Sequence, residues 1–371
     1  ILFDVSHQCY VHKMLTGRKL AYMDPDQFAS VSGFTHPEES EHDIFSIGHT
    51  STAISLACGL AKGRDLKGES YNVVAVVGDG ALSGGEAFEG LNNAAALGSN
   101  LIIVVNDNDM SIAENHGGLY QNLRLLRETN GQAERNLFRA LGFEYHFVKN
   151  GNDVGDMIHA LSGAKDSDHP VVIHMCTTKG KGYRFAEEDR ENWHYMGPFH
   201  VDTGKPRQAA APVETYEGLT AAYLAEKMRK DPRVVAMTAG TPKVLGFDAA
   251  LRGQFPKQFV DVGIAECHAV AMASGIAKAG GKPVFGVSSS FLQRSYDQLS
   301  QDLALNHGAA VILVAFSGIS SGSQTHMGIF DAALVKNIPN LICLSPTCKE
   351  EYFHMLEWGI EQNDGPVVIR I

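Results

Sequence analysis

The chain lacks the cysteine spacing that marks a disulfide framework or a zinc site. It has 6 cysteines in 371 residues, with no CxxC or paired arrangement, and most of them lie in apolar or small-residue runs. This usage favours a reduced environment over a disulfide-linked protein, and we expect a cytoplasmic location. The cysteines are Cys9, Cys58, Cys176, Cys267, Cys343 and Cys348.

Two further features are scarce, namely long apolar runs and positive charge. No segment reaches membrane-spanning length and no signal peptide is visible, so we expect no membrane partner. The formal net charge is −11 at pH 7 and the pI is about 5.8. This balance argues against a nucleic-acid partner and means that anionic substrates must be attracted by local positive groups.

Apolar strand-like runs alternate with helical patterns along the whole chain, which predicts an α/β fold with parallel sheets. Strands are predicted at 72–77, 101–105, 143–148, 170–175, 233–237, 258–262, 283–287, 310–316, 341–344 and 366–371. Helices are predicted at 84–97, 131–142, 153–164, 218–230, 265–280, 291–306 and 348–362. We predict two doubly wound domains, 1–205 and 217–371, joined by a Pro- and Ala-containing linker at 206–216.

The most informative motif is GDGALSGGEAFEG at 78–90, followed by NDNDMSI at 106–112. Asp79 and Asn108 are 29 positions apart, which leaves room for one helix and one strand. In a parallel sheet this path brings both strand ends to the same edge, where carboxylate and carbonyl oxygens bind Mg²⁺. Mg²⁺ commonly completes its coordination with phosphates, so the site favours a diphosphate ligand. GDG alone fits an ordinary strand-to-helix turn, and the NDN segment favours the metal site.

This pattern resembles the thiamine-diphosphate signature of transketolase-like enzymes, and the resemblance implies that the carbonyl of Met110 is a third metal ligand. Over essentially the whole chain the sequence resembles the 1-deoxy-D-xylulose-5-phosphate synthase family of the transketolase superfamily. The segments that carry the resemblance are DVSHQCYVHKMLTGR, EESEHDIFSIGHTSTAISLACGLA, VVGDGALSGGEAFEGLNNA, VVNDNDMSIAEN, TTKGKGY, DVGIAECHAV, SSFLQRSYDQ, GSQTHMGIFD and NIPNLICLSP.

The resemblance implies that the first domain holds diphosphate and Mg²⁺ and that the second holds the aminopyrimidine. It also implies a homodimer. Because the chain opens at Ile1 inside a motif and stops within an apparent strand, we expect a longer protein. The resemblance places a further transketolase domain after residue 371.

Glu266 is the candidate partner of the cofactor's pyrimidine. It follows a buried strand and begins an apolar helix, a poor place for a charge without a partner. Thiamine chemistry requires such a carboxylate, because a shared proton at N1′ stabilises the imino form that deprotonates C2. A carboxylate that complements a helix macrodipole is the alternative interpretation. Phe291 follows the next strand and can stack on the pyrimidine.

The remaining site residues are implied by the resemblance. His7, His49 and His326 would act as proton carriers and hydrogen-bond donors, roles for which imidazole is suited, although each could be an ordinary satisfied histidine. Ile112 would bend the cofactor, with core packing as the alternative. Lys179 would face the diphosphate, with a solvated basic loop as the alternative. Gly78, Gly80 and Ala81 would line the diphosphate turn, and His194 and Arg294 would contact substrate.

Several positions depart from the family pattern. Ser288 stands where a tyrosine is usual, Phe316 where an arginine is usual, and Ser6 where a glycine is usual. Small residues from Ser320 to Ser323 replace an acidic residue. Lost charged and hydroxyl contacts of about 1–3 kcal/mol each are enough to change the preference for an acceptor.

The resemblance therefore implies condensation of pyruvate with glyceraldehyde 3-phosphate and loss of CO₂, through an enamine on thiamine diphosphate, feeding isoprenoid and thiamine precursor synthesis. The alternative is transketolase-like transfer of a two-carbon ketol unit to another sugar. A cofactor-binding but catalytically silent subunit is disfavoured because Asp79, Asn108 and Glu266 are all present. A nucleotide-binding protein is disfavoured because no GxGxxG or GxxxxGK follows a strand.

Overall fold

In the computed structural model the chain forms two compact units, Ile1–Pro206 and Arg207–Ile371. The structure describes residues 1–28, 30–207, 213–319 and 325–371. Part of the predicted linker and the small-residue stretch 320–323 therefore lie outside the described residues. All six cysteines are free thiols. No helix in the described ranges combines the length and apolar character needed to cross a membrane.

The first unit is built on a five-stranded parallel sheet with the order β1-β2-β3-β5-β4. Its strands are β1 (Leu2–Phe3), β2 (Val74–Gly78), β3 (Leu101–Asp107), β4 (Glu144–Val148) and β5 (Pro170–Cys176). Its α-helices are α1 (Tyr10–Lys13), α2 (Leu20–Met23), α3 (Ala53–Leu66), α4 (Gly85–Ala95), α5 (Gly118–Glu128), α6 (Leu137–Leu141), α7 (Val154–Ala164) and α8 (Arg184–Glu188). A π-helical turn spans Met14–Arg18, and 3₁₀ turns span Pro25–Gln27, Gly80–Ser83 and Asn192–His194.

The second unit has a six-stranded parallel sheet with the order β10-β11-β9-β8-β6-β7. Its strands are β6 (Val234–Thr238), β7 (Phe259–Asp261), β8 (Lys282–Ser288), β9 (Val311–Ala315), β10 (Ile342–Leu344) and β11 (Val367–Arg370). Its α-helices are α9 (Tyr216–Lys230), α10 (Ala249–Gln254), α11 (Glu266–Lys278), α12 (Ser289–Leu292), α13 (Asp331–Lys336) and α14 (Lys349–Glu361). 3₁₀ turns span Pro242–Leu245 and Gln293–Ser295, and a π-helical segment spans Gln298–Ala304.

Both faces of each sheet are buried, which explains the unbroken apolar runs in the sequence. Along β3, Ile103 and Val105 belong to the apolar cluster on one face, while Ile102 and Val104 belong to the cluster on the other. β9 alternates in the same way between the two clusters of the second unit. Because parallel sheets carry helices on both faces, the central strands meet apolar partners on both sides, whereas edge strands such as β10 are partly exposed. The predicted α/β class with two parallel sheets is confirmed.

Two predicted helices need correction. The helix predicted at 131–142 is wrong over its first half, because Asn130 and Gly131 have φ of 47° and 77° and Asn136 caps the start of α6 by accepting from two backbone N–H groups. The helix predicted at 291–306 begins earlier, at Ser289, and is interrupted by the 3₁₀ turn and the π-helical segment.

Candidate active site

The carboxyl ends of β2 and β3 place the two predicted metal ligands side by side. Asp79 follows β2 directly and is 1% exposed, and Asn108 follows β3 directly. The Asp79 N–H donates to the Asn106 carbonyl at 3.1 Å, and the Asn108 N–H donates to the Asp79 carboxylate. The two residues are therefore in direct contact at the edge where parallel sheets bind ligands.

The Asp79 carboxylate is in an environment that disfavours its charge when no cation is present. Burial raises its pKa to about 7, and the nearby charge of Asp107 contributes to the increase. Hydrogen bonds from Asn115 and from two backbone N–H groups oppose the shift without cancelling it. A buried carboxylate of this kind is stabilised by a cation beside it.

Asn108 offers a second oxygen to such a cation. Its side-chain Oδ1 is buried and has no hydrogen-bond partner among the residues described. Buried polar atoms are nearly always satisfied, so an orphaned oxygen next to a buried carboxylate fits a hard cation such as Mg²⁺. Met110 lies two residues further on, in an isolated bridge with Glu114, within the same loop. These residues fit the predicted metal.

The turn at 78–81 and the loop after β3 approach each other closely. A Cβ on Gly80 would lie 2.4 Å from Ser111 Oγ, so a larger residue at this position would have to displace Ser111. Gly78 ends β2, and Ala81 is 4% exposed in the following 3₁₀ turn. Ile112, next to Ser111, is half-buried in the loop.

Asn115 was not predicted as a site residue, yet it orients the Asp79 carboxylate. Its Nδ2 donates to Asp79 Oδ2 at 2.7 Å, and its Oδ1 accepts from Ser111 Oγ at 2.8 Å. The amide therefore occupies one carboxylate oxygen. The sequence places Asn115 at the end of the motif NDNDMSIAEN. The spacing within this motif does not distinguish Asn115 from its polar neighbours.

Lys179 lies three residues beyond β5 and supplies positive charge at the same edge. Its Nζ donates to the Ser111 carbonyl. Burial lowers its pKa to about 8, although the Asp79 charge opposes that shift. The side chain is half-buried, so Lys179 does not belong to a solvated basic loop.

Three predicted histidines lie in the first unit. The rings of His7 and His194 are 5.7 Å apart between centroids. Desolvation by surrounding residues lowers the pKa of His7, and the Lys179 ammonium lowers it further. His49 is half-buried, two residues before Ser51, whose hydroxyl donates to the Ala81 carbonyl at 2.7 Å.

Ser6 joins the two histidine-bearing segments. Its hydroxyl donates to the Ile47 carbonyl at 2.7 Å and accepts from the Thr35 N–H at 2.9 Å. Ser6 precedes His7 and Ile47 lies two residues before His49, so this buried hydroxyl links both loops. Ser6 has φ of 71°, a left-handed conformation that is unfavourable for a side chain with a Cβ.

In the second unit Glu266 is the first residue of α11 and is 5% exposed. Burial raises the pKa of its carboxyl group, and the positive charge of Arg294 partly opposes that shift. The Cys267 thiol donates to the Arg294 carbonyl at 3.2 Å. Glu266 and Arg294 are therefore neighbours at the carboxyl edge of the second sheet.

Phe291 and His326 also meet in the second unit. Their ring centroids are 5.5 Å apart with an interplanar angle of 80°. His326 Nδ1 lies 2.9 Å from the Thr325 hydroxyl. Phe291 is half-buried and packs partly against the apolar cluster beneath it.

Two of the positions that depart from the family pattern, Ser288 and Phe316, lie at the carboxyl ends of strands in this second sheet. Ser288 ends β8 and is half-buried. Phe316 follows β9 directly, is 57% exposed and has φ of 57°. A Cβ on Gly328 would lie 2.0 Å from the Phe316 carbonyl oxygen, so glycine at 328 permits this conformation. Arg370 pairs with Asp331 at 2.9 Å.

Comparison with protein families matches both units. Residues 1–135 match the model of 1-deoxy-D-xylulose-5-phosphate synthase, and residues 213–371 match the transketolase pyrimidine binding domain. Similar curated proteins include the 1-deoxy-D-xylulose-5-phosphate synthases of Clostridium kluyveri, 40% identical, and Desulforudis audaxviator, 41% identical. Each match covers 100% of this chain but 65% and 64% of the relative, respectively. The chain thus spans just under two thirds of their length.

Solved structures similar to the chain include a transketolase from Leishmania mexicana, with 19% identity, a TM-score of 0.40, and coverage of 100% of this chain and 68% of that one. The R525L mutant transketolase from Pichia stipitis is 18% identical, with a TM-score of 0.39 and the same coverage. At these TM-scores the matches support no conclusion about this chain.

Proposed function

Because this chain belongs to the 1-deoxy-D-xylulose-5-phosphate synthase family, we propose that it condenses pyruvate with glyceraldehyde 3-phosphate, using thiamine diphosphate and Mg²⁺. The observation that carries the proposal is the contact between the buried Asp79 carboxylate and Asn108, whose buried Oδ1 has no hydrogen-bond partner in the part of the chain that the structure describes. A cation that is also bound to a diphosphate would satisfy both groups.

The first unit would hold the diphosphate end of the cofactor. Asp79, Asn108 and the Met110 carbonyl would bind the metal, and Gly80 leaves the turn open to close approach. Lys179 would neutralise phosphate charge, and a bound anion would in turn raise its depressed pKa. Ile112 would contact the apolar part of the cofactor.

The second unit would hold the aminopyrimidine. When bound, thiamine diphosphate supplies a nucleophilic C2 that adds to a keto acid and stabilises the charge left after CO₂ departs. Glu266 would hold a proton at the pyrimidine N1′, and its raised pKa favours such sharing. Phe291 would stack against the pyrimidine ring.

His7, His49 and His326 would hold or move protons at the substrate oxygens. The lowered pKa of His7 keeps its imidazole neutral near pH 7, so that it can accept a proton. His194 and Arg294 would contact the substrate. Loss of any one positioned acid or base would slow turnover by about 10²–10⁴.

We also propose a cytoplasmic homodimer that feeds isoprenoid and thiamine precursor synthesis. The free thiols of the six cysteines suit a reduced compartment. The dimer is proposed because the family resemblance implies one, and sedimentation measurements test it.

Transketolase-like transfer of a ketol unit to another sugar is the second candidate. It is favoured by Ser288 and by Phe316, an exposed apolar side chain where the family resemblance predicts an arginine for the acceptor phosphate. The two reactions differ in their donor, because only the synthase releases CO₂ from pyruvate.

The test is turnover of the chain, and of its longer form if one exists, with labelled pyruvate and a panel of aldoses. We expect CO₂ release and a raised KM for glyceraldehyde 3-phosphate. Phe316→Arg should lower that KM about tenfold for each 1.4 kcal/mol regained. Leu305→Arg is the control, because it adds the same charge at an exposed site before β9. No reaction with pyruvate, but turnover of a ketose phosphate, would replace the synthase proposal with the transketolase one.

A further inference from the structure

The loop that carries Asn108 is held by a side chain from another element. Arg127, near the end of α5, donates from Nη1 to both oxygens of Asp107, at 2.8 and 2.7 Å. Its Nη2 lies 2.7 Å from Asp109 Oδ1. Because Asp107 and Asp109 flank Asn108 in the chain, one guanidinium group holds the residues on both sides of it.

The inner partner, Asp107, is fully buried and its carboxylate is saturated with hydrogen bonds. His174 Nε2 lies 2.8 Å from its Oδ2, and the Asp109 N–H donates to its Oδ1 at 3.1 Å. The other ring nitrogen of His174 lies 2.8 Å from the Tyr145 hydroxyl. Asp107, at the end of β3, is thus held by Arg127 from α5 and by His174 from β5, and Tyr145 from β4 orients His174.

This network is not itself a metal site. Asp107, His174 and Cys176 bring potential ligand atoms within 4.8 Å of one another. However, both His174 nitrogens and both Asp107 oxygens already have partners, and burial raises the pKa of the Cys176 thiol to about 12. A thiol that stays protonated is a poor metal ligand.

The outer partner, Asp109, has φ of 62°. Left-handed backbone is unfavourable for a residue with a Cβ. Two contacts favour this conformation, namely the ion pair between Asp109 and Arg127 and the hydrogen bond from the Asp109 backbone N–H to the Asp107 carboxylate. Because the turn at Asp109 follows Asn108 directly, it determines the direction of the backbone between Asn108 and Met110.

We propose that Arg127 is a positioning residue for the metal ligand Asn108, holding the strand end before it and the left-handed turn after it. This inference rests on the proposed function, because it takes Asn108 as a ligand of Mg²⁺. Groups that orient metal ligands typically contribute 10–100-fold to metal affinity.

The test is Arg127→Gln, which removes the charge and the forked contact but keeps a polar side chain. We expect the Mg²⁺ concentration that half-saturates thiamine diphosphate binding, measured by calorimetry, to rise about 10–100-fold. Arg127→Lys should recover part of the affinity, since it keeps the charge but not the fork. Arg124→Gln is the matched control, because Arg124 is on the same helix and pairs with Glu128 in solvent.

A second readout does not depend on cofactor binding. The Asp109 amide should exchange hydrogen faster in Arg127→Gln than in the wild type or in Arg124→Gln. If Arg127→Gln is folded and shows wild-type Mg²⁺ dependence and exchange, the inference is wrong. If Arg127→Gln fails to fold, Asp109→Asn is the alternative variant, because the Asp109 side chain is 57% exposed and this substitution removes only its ion pair with Arg127. Unchanged Mg²⁺ dependence in Asp109→Asn would contradict the inference. Absence of Mg²⁺-dependent binding in the wild type would instead reject the proposed function, and amide exchange would still test Arg127.

Discussion

At the residue scale, substitution of Glu266 is the most direct test of the proposed pyrimidine half-site. Its carboxyl group is 5% exposed at the start of α11. Glu266→Gln should slow hydrogen–deuterium exchange at C2 of bound thiamine diphosphate by about 10²–10⁴, the range for a positioned acid–base group. Nuclear magnetic resonance of quenched samples measures this rate.

The control for Glu266 is Glu350→Gln. Glu350 lies in the first turn of α14 and is exposed, so it complements a helix macrodipole without touching the half-site. Its loss should leave C2 exchange unchanged, because the helix macrodipole acts only on the first turn of α14. Wild-type C2 exchange in Glu266→Gln would mean that Glu266 has this structural role as well.

Ser6 gives a second residue-scale prediction, which separates strain from hydrogen bonding. Ser6→Ala keeps the left-handed backbone and leaves the Thr35 N–H and the Ile47 carbonyl without their partner. The free energy of unfolding should fall by about 2 kcal/mol or more. Ser6→Gly should lose less, since glycine relieves about 1–2 kcal/mol of strain. Equal urea-denaturation midpoints for the two variants would show that strain at this position is negligible.

At the element scale, the segment between α1 and α3 is held by a cluster of charged side chains. Arg18 donates from Nη1 and Nη2 to the two oxygens of Asp43 at 2.6 and 2.9 Å, and the His36 N–H donates at 2.9 Å. Burial alone would raise the pKa of Asp43, but hydrogen bonds from Arg18, His36 and His12 outweigh it and hold the pKa well below its usual range.

Asp43→Asn should therefore lower the free energy of unfolding at pH 7 by about 3–5 kcal/mol, as expected when one partner of a buried pair is removed. Because the folded-state pKa is depressed, this contribution is present above the ordinary aspartate pKa of about 4 and is lost as pH falls toward the folded-state value. Urea unfolding of the wild type and Asp43→Asn at pH 7 and at about pH 2.5, below the ordinary aspartate pKa, should show the difference in unfolding free energy narrowing. If the difference in unfolding free energy between the wild type and Asp43→Asn does not change with pH, the negative charge of Asp43 is not its origin.

The sheet strands were predictable because both of their faces are buried, so that β-branched runs such as LIIVV at 101–105 differ clearly from their surroundings. Helix α3 was not predicted, since its residues AISLACGLAKGRDL include two glycines and no strong apolar stripe. Helix α5 was missed although its buried residues Tyr120, Leu123 and Leu126 recur at helical spacing, a periodic signal that the sequence does carry. Short strand β1 pairs with β2, about 70 residues away in the chain, and such long-range pairing has no local signal.

Contacts between distant parts of the chain also limited what could be predicted about the candidate site. Asp79, Asn108 and Glu266 could be predicted because strand ends and motif spacing place them. Arg127 and Asn115 could not, because their roles depend on contacts between separate elements. The predicted roles of the histidines remain predictions, since several kinds of contact can satisfy an imidazole.

At the scale of the whole molecule, each unit carries its own set of proposed cofactor-binding residues at the carboxyl edge of its own sheet. The first unit offers a metal and diphosphate site, and the second offers a buried carboxyl group with an aromatic ring. The family match to both units supports this division. The proposed activity therefore depends first on whether the first unit binds a metal–diphosphate group.

The measurement that tests this claim most directly is calorimetric titration of thiamine diphosphate into the wild type and Asp79→Ala, with and without Mg²⁺. We predict binding by the wild type only with Mg²⁺, and none by Asp79→Ala. Asp168→Ala, which removes the same charge from a side chain that is 97% exposed before β5, should bind as the wild type does. Unchanged affinity in a folded Asp79→Ala, or wild-type binding that ignores Mg²⁺, would contradict the account.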